Sequence, residues 1–105
     1  MLTQLLKKLD KKGIHHEVFW HSIDSMVVTL EHRTIKYKVD FLIRVENDMY
    51  DLSATYGNGE LLYNSVQRKT PQTILNYMIS DMNNLPSTID RINMGKWEES
   101  MEMRF

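Results

Sequence analysis

The sequence predicts an α+β fold of two layers, in which an antiparallel meander of four to five strands lies between an N-terminal helix and one or two C-terminal helices. Two observations predict it. Apolar residues alternate with polar ones from Thr34 to Glu46, the pattern of an antiparallel strand with one buried face. Apolar residues also recur at helical spacing in segments before and after the strands. The length of 105 residues predicts one domain, 1–105.

The N-terminal half contains the first helix and most of the sheet. Leucines at helical spacing predict a helix over 2–12, and Gly13 supplies a left-handed residue at its end. Strands are predicted across 14–66, because alternating segments there are separated by turn residues, including Gly57-Asn58-Gly59. The predicted strands are Ile14–His21, Met26–His32, Thr34–Glu46, Met49–Tyr56 and Glu60–Val66.

The second helix is predicted in the C-terminal part of the sequence. Thr70 is suited to the N-cap and Pro71 to the first helical position, where its missing N–H costs nothing. An apolar stripe then continues the helix over 71–83. A short helix and an apolar tail are predicted over 87–105.

Several function classes are disfavoured by the sequence. The chain has no cysteine, which excludes thiolate chemistry, and no apolar run of the roughly 20 residues that span a bilayer. No phosphate-binding glycine loop or strained nucleophile turn is present, so we expect no enzyme, no catalytic residue and no cofactor. His15 and His21 are too far apart along an extended strand to share one ion, and His15 with Glu17 would bind a metal only with a ligand from another strand, such as His32, so no metal site is predicted. Because the first residues do not resemble a secretory signal, we expect a cytoplasmic protein in the host cytosol.

An acidic stretch suggests a binding function. Residues 45–67 hold four carboxylates and no lysine or arginine. Such a patch favours a basic partner, so we expect a larger protein with a basic groove, bound through the acidic side chains and the exposed parts of two apolar neighbours. The predicted partner-binding residues are Glu46, Asp48, Met49, Asp51, Tyr56 and Glu60.

Two other functions remain open. A nucleic-acid-binding module would use the basic residues of the first helix and third strand: Lys7, Lys8, Lys11, Lys12, Lys36 and Lys38. Strand periodicity places Tyr37 on the opposite face from Lys36 and Lys38, so Tyr37 is expected in the core rather than stacked on a base. The chain would otherwise be a homo-oligomeric assembly subunit that buries its apolar tail, and both monomer and homodimer are compatible with the sequence.

The segment Phe41-Leu42-Ile43-Arg44-Val45-Glu46-Asn47-Asp48-Met49-Tyr50-Asp51-Leu52-Ser53 resembles the central hairpin of small phage anti-CRISPR proteins that inhibit the type II RNA-guided nuclease. In that family a similar strand runs into an Asn-Asp turn and a second strand ending in serine. The resemblance implies a stoichiometric inhibitor that fills the groove for the DNA recognition duplex, with carboxylates in place of phosphates. It places Asp48 at the family's turn aspartate and Asp51 near the next acidic position, and makes Glu98, Glu99 and Glu102 counterparts of an acidic C-terminal helix.

Together these observations predict a small non-enzymatic phage or mobile-element binding protein. It would act by occluding a basic surface of a larger protein.

Overall fold

The computed structural model describes residues 2–90, except for the side chains of residues 63–65. The predicted two-layer α+β fold is confirmed. The elements in chain order are α1 (Leu2–Lys11), β1 (Glu17–Ser22), β2 (Ser25–Glu31), β3 (Lys38–Glu46), β4 (Met49–Tyr56), β5 (Leu61–Arg68) and α2 (Pro71–Asn83). After a turn at Asn84, residues 85–90 are again helical.

The sheet is a meander in which every strand pairs with its neighbours in the chain, in the order β1-β2-β3-β4-β5. All four pairings are antiparallel. Phe41 lies opposite Val28 on one side and Ala54 on the other, so these three side chains share a face. Because of this register, the buried residues of β3 lie opposite buried residues of β2 and β4.

Both helices cover the same face of the sheet and leave the other face open. Leucines of α1 and apolar residues of α2 pack with the inward residues of β2, β3 and β4 in one buried cluster. Each buried leucine or isoleucine contributes roughly 1.5–3 kcal/mol when it leaves water, so the cluster holds the layers together. Its largest fully buried members are Tyr50, Phe41, Leu2, Leu5, Leu9, Met26, Ile43, Leu52, Ile74, Leu75, Met78 and Leu85.

The helix ends follow the predicted chemistry. Gly13 has φ of 69°, and the N–H of Ile14 donates to the Leu9 carbonyl at 3.1 Å, which closes α1. The Thr70 hydroxyl accepts from the Thr73 N–H at 3.3 Å and caps α2.

Two strands begin three or four residues later than predicted. β1 begins at Glu17 rather than Ile14, and β3 begins at Lys38 rather than Thr34. Ahead of β3, the chain turns after His32, whose carbonyl accepts from the Lys36 N–H at 3.0 Å. Lys36 itself has φ of 59°, which a strand does not accommodate.

The predicted C-terminal segment is described only up to residue 90. Of the predicted short helix and tail over 87–105, residues 91–105 lie outside the described residues, and so do the acidic positions Glu98, Glu99 and Glu102.

Candidate functional site

Two turns meet at one end of the sheet, and three acidic residues lie in or beside them. The backbone N–H of Val45, at the end of β3, donates to the carbonyl of Asp24 in the β1–β2 turn at 2.9 Å. Glu46 follows Val45, and Asp48 lies in the β3–β4 turn just beyond it. Asp24, Glu46 and Asp48 are all exposed. We call these three residues the acidic turn end.

The backbone conformation of the β3–β4 turn is well defined. Asn47 and Asp48 have φ of 52° and 59°, and two successive left-handed residues between paired strands form the tight turn that matches strand twist. Asparagine and aspartate tolerate this region better than other residues with a Cβ. In the neighbouring turn, the Ser22 hydroxyl accepts from the Asp24 N–H at 3.2 Å. Local bonds therefore fix both turns of the acidic turn end.

Two basic residues near this end, Arg44 and Arg68, have contacts of their own, whereas Lys69 follows β5 directly and is exposed. The Arg44 guanidinium donates to the Asp51 carboxylate at 3.1 Å. Arg68 lies 5.5 Å from the centre of the Tyr77 ring and donates to the Gln67 carbonyl at 2.7 Å, so it faces α2. The charged side chains of the two turns, Asp24 and Asp48, and of the neighbouring Glu46 are all carboxylates, so the turn tips themselves are acidic.

Asp51 is not available as a contact residue, and that prediction is wrong. It lies directly opposite Arg44 on β3 and Gln67 on β5, in the middle of three paired strands. Its side chain is only 11% exposed. The register of β3 and β4 gives its carboxylate an internal partner, so it supports the hairpin instead of projecting from it.

The other predicted contact residues do not form one surface. Tyr56 is 4% exposed and belongs to the core, so its assignment as a contact is also wrong. Glu60 lies just beyond Tyr56, whereas Glu46 pairs with Met49 at the other end of β4. An eight-residue strand separates these ends by roughly 24 Å. Of the six, only Glu46, Asp48 and the half-buried Met49 remain together.

Sequence reasoning missed the β1–β2 turn as part of this site. Asp24 joins it through the backbone bond to Val45, which no local pattern reveals. Ile23, its neighbour, is 85% exposed and places a large apolar side chain beside the carboxylates. An isoleucine in a four-residue polar turn was the one signal available in the sequence.

The predicted basic residues lie in two places. Lys7, Lys11 and Lys12 are exposed on and just after α1, and the Lys8 ammonium donates to the Gln72 side chain of α2 at 3.1 Å. Lys36 and Lys38 instead border an open groove of about 250 Å³ at the far end of the sheet. The groove is lined by Ile35, Lys36, Tyr37, Lys38, Tyr56, Gly57 and Asn58.

Tyr37 lines this groove rather than the core, which corrects the prediction. It is 43% exposed, because the turn around His32 takes it out of β3. Its ring packs against the Tyr56 ring with centroids 5.8 Å apart. The Tyr56 hydroxyl is buried and has no hydrogen-bond partner among the described residues. Burial raises the pKa of the Tyr56 hydroxyl, and the nearby charges of Glu60 and Tyr37 raise it further.

Two histidines have structural contacts. The His32 Nδ1 accepts from the backbone N–H of Thr34 at 3.2 Å, and the His16 Nδ1 donates to the Ile14 carbonyl at 2.8 Å. Within residues 2–90, no three side chains of the kinds that bind metals are grouped closely enough to hold an ion. No helix in that range is long and apolar enough to cross a membrane.

Comparisons with family models, curated proteins and solved structures found nothing that matches this chain.

Replacing Asp51 with asparagine should destabilise the fold, whereas Asp48→Asn should not. Asp51→Asn removes the charge that Arg44 binds inside the sheet, at a cost of about 1–2 kcal/mol in the free energy of unfolding. Asp48→Asn keeps a residue that tolerates the left-handed turn and should change that free energy by less than about 0.5 kcal/mol. Urea unfolding followed by circular dichroism measures both. Equal effects would contradict the internal role of Asp51.

Tyr56→Phe should stabilise the protein by about 1 kcal/mol, because it removes a buried hydroxyl without a partner. The gain should grow above pH 10. Tyrosine ionises near there in the unfolded chain, but its raised pKa in the folded state delays ionisation, so the wild type loses stability as the pH rises. Urea unfolding at pH 7 and pH 10.5 tests this. A variant less stable than wild type at both values would show that the hydroxyl is satisfied.

Proposed function

We propose that this chain is a non-enzymatic binding protein that occludes a basic surface of a larger protein with its acidic turn end. It would act stoichiometrically in the cytosol of a host cell, as a product of a phage or similar mobile element. The observation that carries the proposal is the backbone hydrogen bond from Val45 to Asp24, because it holds the two turns that carry these exposed acidic residues side by side.

The arrangement suits recognition of a basic groove. The carboxylates project from tight turns, so little backbone entropy is lost when they bind. The charge at the tip attracts a basic surface over roughly a Debye length, about 8 Å in physiological salt. The exposed Ile23 side chain adds apolar area beside the charges, which a purely electrostatic contact lacks.

The resemblance to anti-CRISPR proteins supplies the most specific candidate partner. The residues that carry it, 41–53, cover most of β3, the turn and the first half of β4. This hairpin contributes Glu46 and Asp48 to the acidic turn end. Carboxylates there would take the place of phosphates in the arginine-lined groove that a type II RNA-guided nuclease uses for duplex recognition.

The test is binding of the purified chain to a type II nuclease loaded with guide RNA, followed by biolayer interferometry and by cleavage of target DNA. The wild type should bind and slow cleavage. The triple variant Asp24→Asn, Glu46→Gln, Asp48→Asn should raise the Kd about tenfold, since each exposed ion pair contributes about 0.5 kcal/mol.

A matched control separates this surface from net charge. The variant Asp10→Asn, Glu31→Gln, Asp90→Asn removes the same number of exposed carboxylates elsewhere and should bind as the wild type does. Equal weakening by both variants would contradict the assigned surface. Absence of wild-type binding at micromolar concentration would contradict the nuclease as partner.

A second candidate function rests on the groove at the far end of the sheet. There the exposed Tyr37 lies between Lys36 and Lys38 and packs against the Tyr56 ring. Proteins that bind single-stranded nucleic acids combine aromatic rings, which stack on bases, with basic residues, which contact phosphates. This geometry favours single-stranded RNA or DNA over duplex, because stacking needs an unpaired base.

Fluorescence polarisation with labelled single-stranded and duplex oligonucleotides tests the second function. If it holds, Tyr37→Ala should weaken single-strand binding by roughly 1–3 kcal/mol, and the affinity should fall steeply with salt. Lys7→Gln with Lys11→Gln, on α1, is the control and should have a smaller effect. No single-strand binding at micromolar protein would dismiss this candidate.

A further inference from the structure

The first strand is an open edge with large apolar side chains. β1 stands at the end of the sheet order and pairs with β2 alone among the described strands. Phe19 is 64% exposed and Trp20 is 42% exposed, on opposite faces of the strand. Edge strands are normally guarded by lysine, proline or a covering helix, and the sequence of β1, EVFWHS, contains neither lysine nor proline.

Within residues 2–90, the one feature that protects this edge is an irregularity near the end of β1. The register with β2 shifts between Trp20 and Ser22, so His21 lies at a bulge. Residues Glu17 to Trp20 keep regular pairing with β2, and no other described strand pairs with the outer edge of β1. The bulge does not turn His21 away from the strand, because its ring meets the Phe19 ring edge-on with centroids 5.1 Å apart.

The side chains along this edge are complementary to themselves. Glu17, Phe19 and His21 lie along the open face, with a carboxylate at one end, an apolar ring in the middle and an imidazole at the other. Antiparallel pairing centred on Phe19 would set each Glu17 against His21 of the second copy. It would also set Phe19 against Phe19, and Val18 against Trp20 on the other face.

We propose that a second copy of this chain pairs with β1 around a two-fold axis centred on Phe19. The axis makes one continuous sheet of ten strands and leaves the helices of both copies on one side. Among pairings of that kind, only the one centred on Phe19 brings Glu17 to His21, since a shift of the centre by one residue places Glu17 against Phe19 or Ile23. Opposite charges or hydrogen-bonding partners directly across an antiparallel pair stabilise it, and like charges destabilise it.

Charge complementarity selects a copy of this chain over another occupant. Every contact is repeated by the axis, so the imidazole N–H of each copy donates to the carboxylate of the other. Because the contact is short, the dimer should be in concentration-dependent exchange with the monomer, in the manner of small interfaces.

Sedimentation equilibrium of the full chain from about 10 µM to about 1 mM tests the proposal at concentrations suited to a small interface. The wild-type mass should rise from 12.5 kDa towards twice that value. Glu17→Lys and His21→Glu should each raise the dissociation constant about tenfold, because one substitution removes two symmetric contacts. The double variant E17K/H21E restores opposite charges and should return to within about threefold of wild type.

An apolar control locates the interface. Phe19→Ser should leave a monomer at all concentrations, whereas Leu61→Ser, at a residue 52% exposed on the other edge strand, should not affect dimerisation. Circular dichroism confirms that each variant is folded. A monomeric wild type, failure of the double variant to recover, or dissociation by Leu61→Ser alone would overturn the proposal. These variants leave the acidic turn end intact, so the outcome is independent of nuclease binding.

Discussion

Burial of a single face of the sheet is the constraint on which the structure depends. Two helices supply enough apolar surface to cover the middle strands, where Phe41, Ile43 and Leu52 are fully buried. They do not cover the open face, the turns or the outer strand β1, whose residues are mostly exposed. The parts of the molecule able to meet a partner are therefore those that the hydrophobic layer does not reach.

The register of the strands determines which residues reach the surface. Because Phe41 lies between Val28 and Ala54, the strands on either side of β3 are fixed along its length, and so are the positions of the turns at its end. The same register sets Arg44 against Asp51, so the Asp51 carboxylate is buried and bound by the half-exposed guanidinium of Arg44. Packing on one face of the sheet thus decides which charges remain free on the other.

The sequence was sufficient for the fold but not for the site. Period-two alternation identified β3 and β4 and the inward residues Tyr50 and Leu52, because a half-buried strand imposes that pattern directly. The same pattern wrongly started β3 at Thr34, because hydrogen bonds to His32 make these residues a turn rather than a strand. The acidic stretch was continuous in sequence but not in space, since β4 carries Glu60 away from Glu46. Asp24 joined the site through a tertiary hydrogen bond, which alternation and composition do not encode.

The open edge and the acidic turn end are related by geometry. Antiparallel pairing of β1 with a second copy reverses the strand direction across the axis, so the two acidic turn ends would point to opposite ends of the joined sheet. Neither would be covered by the pairing, and each would keep its carboxylates exposed. Such a dimer would present two equivalent binding ends, and a partner with two basic surfaces at matching distance would be held more tightly than by either end alone. Occlusion by one end requires no dimer, so the oligomeric state would alter the strength of binding without altering which residues make the contact.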